Sequence, residues 1–222
     1  VETTNGSTLA KDYAEIFKNL ILNSYSIDSI LTTTATEVFT FTADESNPIG
    51  TQFDWDFGDG FTSTLANPQH TYSQGTGLPT SYYAKLTVTD DIGQTDVDSV
   101  LISVNNTPPQ VAITSFNDGD LYSMSGFTNL PLVAQVTDAE HGPNDLFYKW
   151  TTYLHHNSHL HPEAIDTNKT TSTVISPVGC SANNTYYFEI NLVVTDAGGL
   201  KTSVSSNLYA ACDPPVAAFT LS

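Results

Sequence analysis

Arginine is absent from the 222 residues, and lysine occurs only six times against 24 acidic side chains, for a net charge of −18. Nucleic acids and anionic membrane surfaces are bound through basic patches that neutralise phosphate, so both are poor partners on charge grounds. No run of eighteen apolar residues occurs, so no segment reads as a membrane-spanning helix. Only two cysteines are present, Cys180 and Cys212, both in the C-terminal half. In an exported domain such a pair reads first as one disulfide, adding about 3–4 kcal/mol by the chain-entropy model, and otherwise as two buried thiols. Gly-x-Ser-x-Gly, His-Glu-x-x-His and Cys-x-x-Cys are all missing, so no catalytic motif is legible. The chain opens on Val1 without a basic or apolar leader and reads as a processed fragment of something longer.

What is present is a chain with 39% hydrophobic residues, many of them β-branched or aromatic, enough to build cores. In STLAKDYAEIFKNLILNSYS, Leu9, Tyr13, Ile16, Phe17, Leu20 and Ile21 recur at three- and four-residue steps, which predicts a short amphipathic helix within 1–30. From about Thr32 the period falls to two. EVFTFTAD, SYYAKLTVTD and SVLISVN alternate Val, Ile, Thr, Tyr and Phe between turn residues, the pattern of short strands in an all-β sandwich. Low charge with abundant Thr, Ser and Asn suits a secreted or cell-surface protein.

The chain repeats itself. LTVTDDIGQTDVDSVLISV (86–104) resembles LVVTDAGGLKTSVSSNLYA (192–210), and TPPQVAI (107–113) resembles DPPVAAF (213–219), both at an offset of 106 residues. An immunoglobulin-like sandwich takes about 100 residues. The expectation is therefore tandem immunoglobulin-like β-sandwiches over 31–106 and 107–213, with 214–222 opening a further unit. Pro108-Pro109 and Pro214-Pro215 punctuate them, since paired prolines stiffen linkers and stay out of central strands.

FDWDFGDGFTSTLANPQHTY followed by YYAKLTVTDDIG closely resembles the polycystic-kidney-disease (PKD) family. The matching positions are Trp55, Asp56, Phe57, Gly58, Asp59, Gly60, Asn67, Pro68, His70, Tyr72 and Asp90, and the insert SQGTGLP departs from the pattern. The resemblance covers about 32–105 and implies an immunoglobulin-like sandwich serving as an accessory or spacer module. The residues agree: Trp55 and Phe57 alternate with acids and so face a core, while Gly58 and Gly60 supply turn conformations. Asp56, Asp59 and His70 read as turn and packing residues rather than as catalytic acids. Residues 107–213 are similar to an immunoglobulin-like module that accompanies secreted bacterial sugar dehydrogenases. The pieces that carry this are VTDAEHGPNDLFYKWTTYLHHNSHLHP and YYFEINLVVTDAGGL. No cofactor or activity is carried over from the dehydrogenase.

Three candidate sites remain. YLHHNSHLHPE holds four of the six histidines: His155, His156, His159 and His161. Read as one extended strand over 146–160, His155, Asn157, His159 and His161 share a face, and His159 with His161 can aim at one zinc, copper or nickel ion. Further ligands would come from His155, His156, Glu163, Asp166 or the loop Asp138-Ala139-Glu140-His141. The alternative is a polar strand edge whose imidazoles bond carbonyls or stack on rings. The VTD turns, with Asp90-Asp91, Asp138 and Glu140, and Asp196, offer oxygen ligands for calcium, or ordinary Asx turns. Asp138 and Glu140 are the calcium candidates; Asp90 and Asp196 read as turn residues. Finally, Tyr82, Tyr186 and Trp150 are candidate rings for stacking on a neutral polysaccharide, the alternative being rings that cover a sheet edge.

The functional expectation is a non-catalytic accessory or spacer segment of a larger secreted or cell-surface bacterial protein, partnered by its neighbouring domains. Alternatives are a carbohydrate-binding module and a self-associating fibre or adhesin subunit.

Overall fold

A computed structural model describes residues 38–41, 50–72, 77–181 and 184–212. The helix expected within 1–30 and the strand expected within 214–222 lie outside the described residues. Every regular element among those residues is a strand. The chain divides into two compact units, Val1–Thr107 with Gly198–Leu200, and Pro108–Ala197 with Lys201–Ser222.

In the first unit the strands are β1 (Val38–Thr40), β2 (Gln52–Asp56), β3 (Thr62–Ser63), β4 (Gln69–Thr71), β5 (Thr80–Thr89) and β6 (Thr95–Val104). A four-stranded sheet in the order β3-β2-β5-β6 is accompanied by the pair β1-β4. Alternation decides the core: Ala84, Leu86 and Val88 point inward from β5, and Phe39, Phe41, Trp55, Phe57, Tyr72 and Val100 close over them. Phe41 packs against Trp55 with ring centroids 5.3 Å apart, and Phe57 stacks on His70 at 4.1 Å. Gly58 has φ +80°, and a Cβ there would come within 2.7 Å of the Tyr83 carbonyl oxygen, so both backbone shape and space demand glycine.

The second unit holds β7 (Gln110–Ile113), β8 (Leu121–Tyr122), β9 (Thr128–Leu132), β10 (Ala134–Thr137), β11 (Leu146–His156), β12 (His159–Asp166), β13 (Thr171–Ile175), β14 (Tyr186–Asp196) and β15 (Lys201–Ala210). Its main sheet runs β12-β11-β14-β15-β8, with the pairs β10-β7 and β13-β9 beside it. Trp150, Phe188, Ile190, Leu192, Val194, Leu132 and Ile175 form a core separate from that of the first unit. Hairpins β5-β6 and β14-β15 begin and end at positions 106 residues apart, which is the sequence repeat made visible. A Cys180–Cys212 disulfide, with Cα atoms 5.4 Å apart, ties the chain before β14 to the chain after β15.

Candidate functional site

The histidine window is a hairpin, not one strand. Asn157 takes φ 52°, a left-handed conformation that asparagine tolerates, and the chain reverses there between β11 and β12. The tip is pinned: Asn157 N–H donates to the Thr185 carbonyl at 3.0 Å, and Asn157 Oδ1 accepts from Thr185 N–H at 3.0 Å. The expectation that His155, His159 and His161 share a face is thereby corrected. His156 pairs with His159 and Leu154 with His161, so His156, His159 and His161 lie on one face and His155 on the other.

His155 and His156 each stack on a tyrosine. His155 stacks flat on Tyr187 at 4.2 Å, with its Nε2 2.8 Å from Glu189 Oε2. Glu189 is itself held by a 2.7 Å hydrogen bond donated by Ser205 Oγ. His156 stacks on Tyr186 at 4.5 Å, and its ring centroid lies 6.4 Å from that of His159. His159 and His161 are exposed. Among the described residues, the set of three metal-ligating side chains that comes together is Asp138, His141 and Asp196, which includes no member of the window.

The three aromatic candidates lie on the inward faces of their strands. Trp150 is 1% exposed and belongs to the core, so it cannot meet a ligand. Tyr82 stacks on Tyr72 at 4.7 Å and packs against the first core. Tyr83, one residue on, is 65% exposed. Tyr186 is half-buried under His156, and Tyr187 points outward. The signal was available: Tyr82 shares parity with Ala84, Leu86 and Val88, and Tyr186 with Phe188, Ile190 and Leu192, all of them inward.

Outward parity builds a feature that the sequence reading missed. Register places Leu160, His155, Tyr187, Tyr209 and Leu121 directly opposite one another on β12, β11, β14, β15 and β8. They form one row across all five strands on the side away from the core. At about 4.8 Å per strand the row is roughly 19 Å long. Tyr187 and Tyr209 rings are 5.8 Å apart, and Tyr209, Leu160 and Leu121 are exposed. The next outward row carries Tyr153, Glu189 and Asn207, and the one after it Asn191 and Ser205. Beyond Leu121 an open depression of about 530 Å³ is lined by Tyr122, Ser123, Met124, Ser125 and Ala211.

The acidic loop after β10 is organised by Asp138. Its Oδ1 accepts hydrogen bonds from the backbone N–H groups of Glu140 (3.0 Å) and His141 (2.7 Å), and His141 Nδ1 lies 3.2 Å from it. Asp196, the last residue of β14, faces the same point, with Oδ2 4.0 Å from His141 Nδ1. The side chains of Asp138 and Asp196 are fully buried, and that of His141 is 11% exposed. Glu140 points to solvent and does not join the group. In the first unit the aspartates act as turn residues, as their motif implies. Asp56 Oδ1 accepts from Gly58 N–H at 2.9 Å and Asp59 Oδ1 from Phe61 N–H at 3.2 Å. Asp90 accepts from Ile92 N–H at 3.0 Å, Gln94 N–H at 2.7 Å and Gln94 Nε2 at 2.9 Å.

Two strand-only units in tandem define the class: immunoglobulin-like β-sandwiches. Residues 26–104 match the PKD domain family. Among solved structures the chain is similar to the fibronectin(III)-like modules of Clostridium thermocellum CbhA, at 15% identity and a TM-score of 0.37, over 82% of this chain and 92% of that one. It is also similar to three N-terminal domains of the highly immunogenic outer capsid protein (Hoc) of bacteriophage RB49, at 19% identity and a TM-score of 0.26, over 79% and 55% respectively. No curated protein matches the chain with statistical significance. PKD domains are in general non-catalytic modules of multidomain, typically extracellular proteins. No helix among the described residues is long and apolar enough to cross a membrane.

Proposed function

We propose that this chain is a non-catalytic accessory segment of a larger secreted or cell-surface protein, and that its second sandwich docks a neutral polysaccharide on the outer face of the five-stranded sheet. The observation that carries this is the row Leu160, His155, Tyr187, Tyr209 and Leu121. A pyranose ring has an apolar C–H face that gains dispersion contact over a flat ring, and hydroxyls at its rim that need polar partners. The row supplies rings, and Glu189, Asn207 and Asn191 beside it supply acceptors and donors. His155 is held by both Tyr187 and Glu189 before any ligand arrives, which lowers the ordering cost of binding. Glu189 on this face, and a chain charge of −18, oppose anionic polymers and leave a neutral one. The first sandwich acts as a spacer.

Fibre formation is less well supported. Edge strand β12 carries Pro162 and a register shift opposite Thr152 and Tyr153, two devices that blunt strand-to-strand addition.

Affinity electrophoresis in gels containing xylan, glucomannan, hydroxyethyl cellulose or alginate tests the docking. Retardation is expected in at least one neutral gel and not in alginate. The double substitution Tyr187→Ala with Tyr209→Ala is expected to abolish it, while Tyr83→Ala leaves it unchanged. Free migration of the unsubstituted protein in every neutral gel would overturn the reading.

A further inference from the structure

We infer that Asp138, His141 and Asp196 form a binding site for a single divalent transition-metal ion, with zinc the best match to the donor set. Their ligand atoms lie within 4.8 Å of one another, close enough for one ion to draw them together by small side-chain shifts. Two fully buried carboxylates converge there on one imidazole. Buried charge of one sign is costly unless it is paired or coordinates a metal.

The independent sign is Asp138 Oδ2. This atom is buried and has no hydrogen-bond partner, while Oδ1 of the same carboxylate faces three nitrogens. A buried carboxylate oxygen without a donor is destabilising, and a cation is the partner that removes the penalty without a hydrogen. A proton on His141 Nδ1 would satisfy Oδ1 and leave Oδ2 unchanged.

Donor chemistry selects the ion. Calcium takes six to eight oxygens, and this group offers an imidazole and two carboxylates. Imidazole with carboxylate suits zinc and its first-row neighbours, and three protein donors leave a fourth position for water. The scaffold is rigid on two sides: Asp196 ends β14 in register with Leu146 of β11, and Asp138 is fixed by its own loop amides. This site is distinct from the window of His155, His156, His159 and His161, and it does not depend on the polysaccharide reading.

The test uses the full chain made without a polyhistidine tag and stripped with chelator. Zinc chloride is titrated by calorimetry and by thermal melting, with manganese and calcium in parallel. One equivalent of zinc per chain and a raised melting temperature are expected, with calcium at least tenfold weaker. His141→Ala and Asp196→Asn should each weaken zinc binding at least tenfold. Asp138→Asn is informative if it melts cooperatively; His141→Ala removes no backbone contact and keeps the test alive if it does not. The triple substitution of His156, His159 and His161 to Ala should retain binding. No zinc uptake, equal uptake by His141→Ala, or loss only in the triple variant would each overturn the assignment, and preference for calcium would overturn the choice of ion.

Discussion

Both sandwiches place a histidine against an aspartate, and the two pairs differ in what is left over. In the first, His70 Nε2 meets Asp59 Oδ2 at 2.8 Å, and Asp59 Oδ1 accepts from Phe61 N–H. The His70 ring lies on Phe57 and meets Tyr72 edge-on at 4.7 Å. Both carboxylate oxygens and the imidazole ring have structural partners. In the second, His141 meets Asp138 at 3.2 Å, a second buried aspartate faces it, and one carboxylate oxygen has no donor. Asp90 and Asp196 stand 106 residues apart in the repeat and face different neighbours. Asp90 accepts three hydrogen bonds from its own turn, whereas Asp196 is turned toward His141 and Asp138. One residue pair therefore carries two meanings, and only a count of donors and acceptors tells them apart.

The largest expected effect probes whether each core stands alone. Trp55→Ala and Trp150→Ala should each cost about 3–5 kcal/mol, because each removes a fully buried indole. Scanning calorimetry should show each variant lowering the transition of its own sandwich; one merged transition moved equally by both would break the comparison.

Reduction of Cys180–Cys212 comes next. A loop closed at a sequence separation of 32 is worth about 3–4 kcal/mol by chain entropy, and the first sandwich has no cysteine. Reductant should therefore lower only the second transition.

A smaller effect separates the two turn aspartates. Asp90→Ala leaves the part-buried N–H groups of its turn without their acceptor and should cost about 1–2 kcal/mol with or without zinc. The stability change from Asp196→Ala should depend on zinc. Melting curves in chelator and in zinc distinguish them, and identical zinc-independent losses would return Asp196 to a turn role.

The smallest effect is a pH dependence. The hydrogen bond from Thr171 Oγ1, followed by that from Asn168 N–H, holds the Asp166 carboxyl below its usual range. A carboxyl lowered in the folded state contributes stability that is complete above its unfolded value of about 4 and is lost as pH falls through the folded one. Asp166→Ala should flatten that acid limb, lowering stability near neutrality and leaving it nearly unchanged at the acid end. An unchanged limb by denaturant titration between pH 2 and 5 would remove the assignment.

Much of the fold was legible because strands have a period of two and turns need particular residues. WDFGDG, with Gly58 at positive φ and Asp56 bonded to Gly58 N–H, behaves as its letters suggest. The candidate sites were less legible. HHNSH holds an Asn-Ser turn that was read through as strand, and that single step moved His155 to the opposite face from His159 and His161. Tyr82 and Tyr186 share inward parity with their buried neighbours, so the outward rings are Tyr83 and Tyr187. The Leu160-to-Leu121 row could not be read at all, since it needs the order of five strands.

Local chemistry, by itself, determined that this chain forms strands, where several of its turns fall, and that it carries too little positive charge for phosphate. Those properties depend on neighbours a few residues apart. Which side chains meet across strands, and which buried oxygen is left without a donor, was decided by tertiary packing. Asp138 and Asp196 are 58 residues apart in the chain. Only sheet order and register bring their charges to one point.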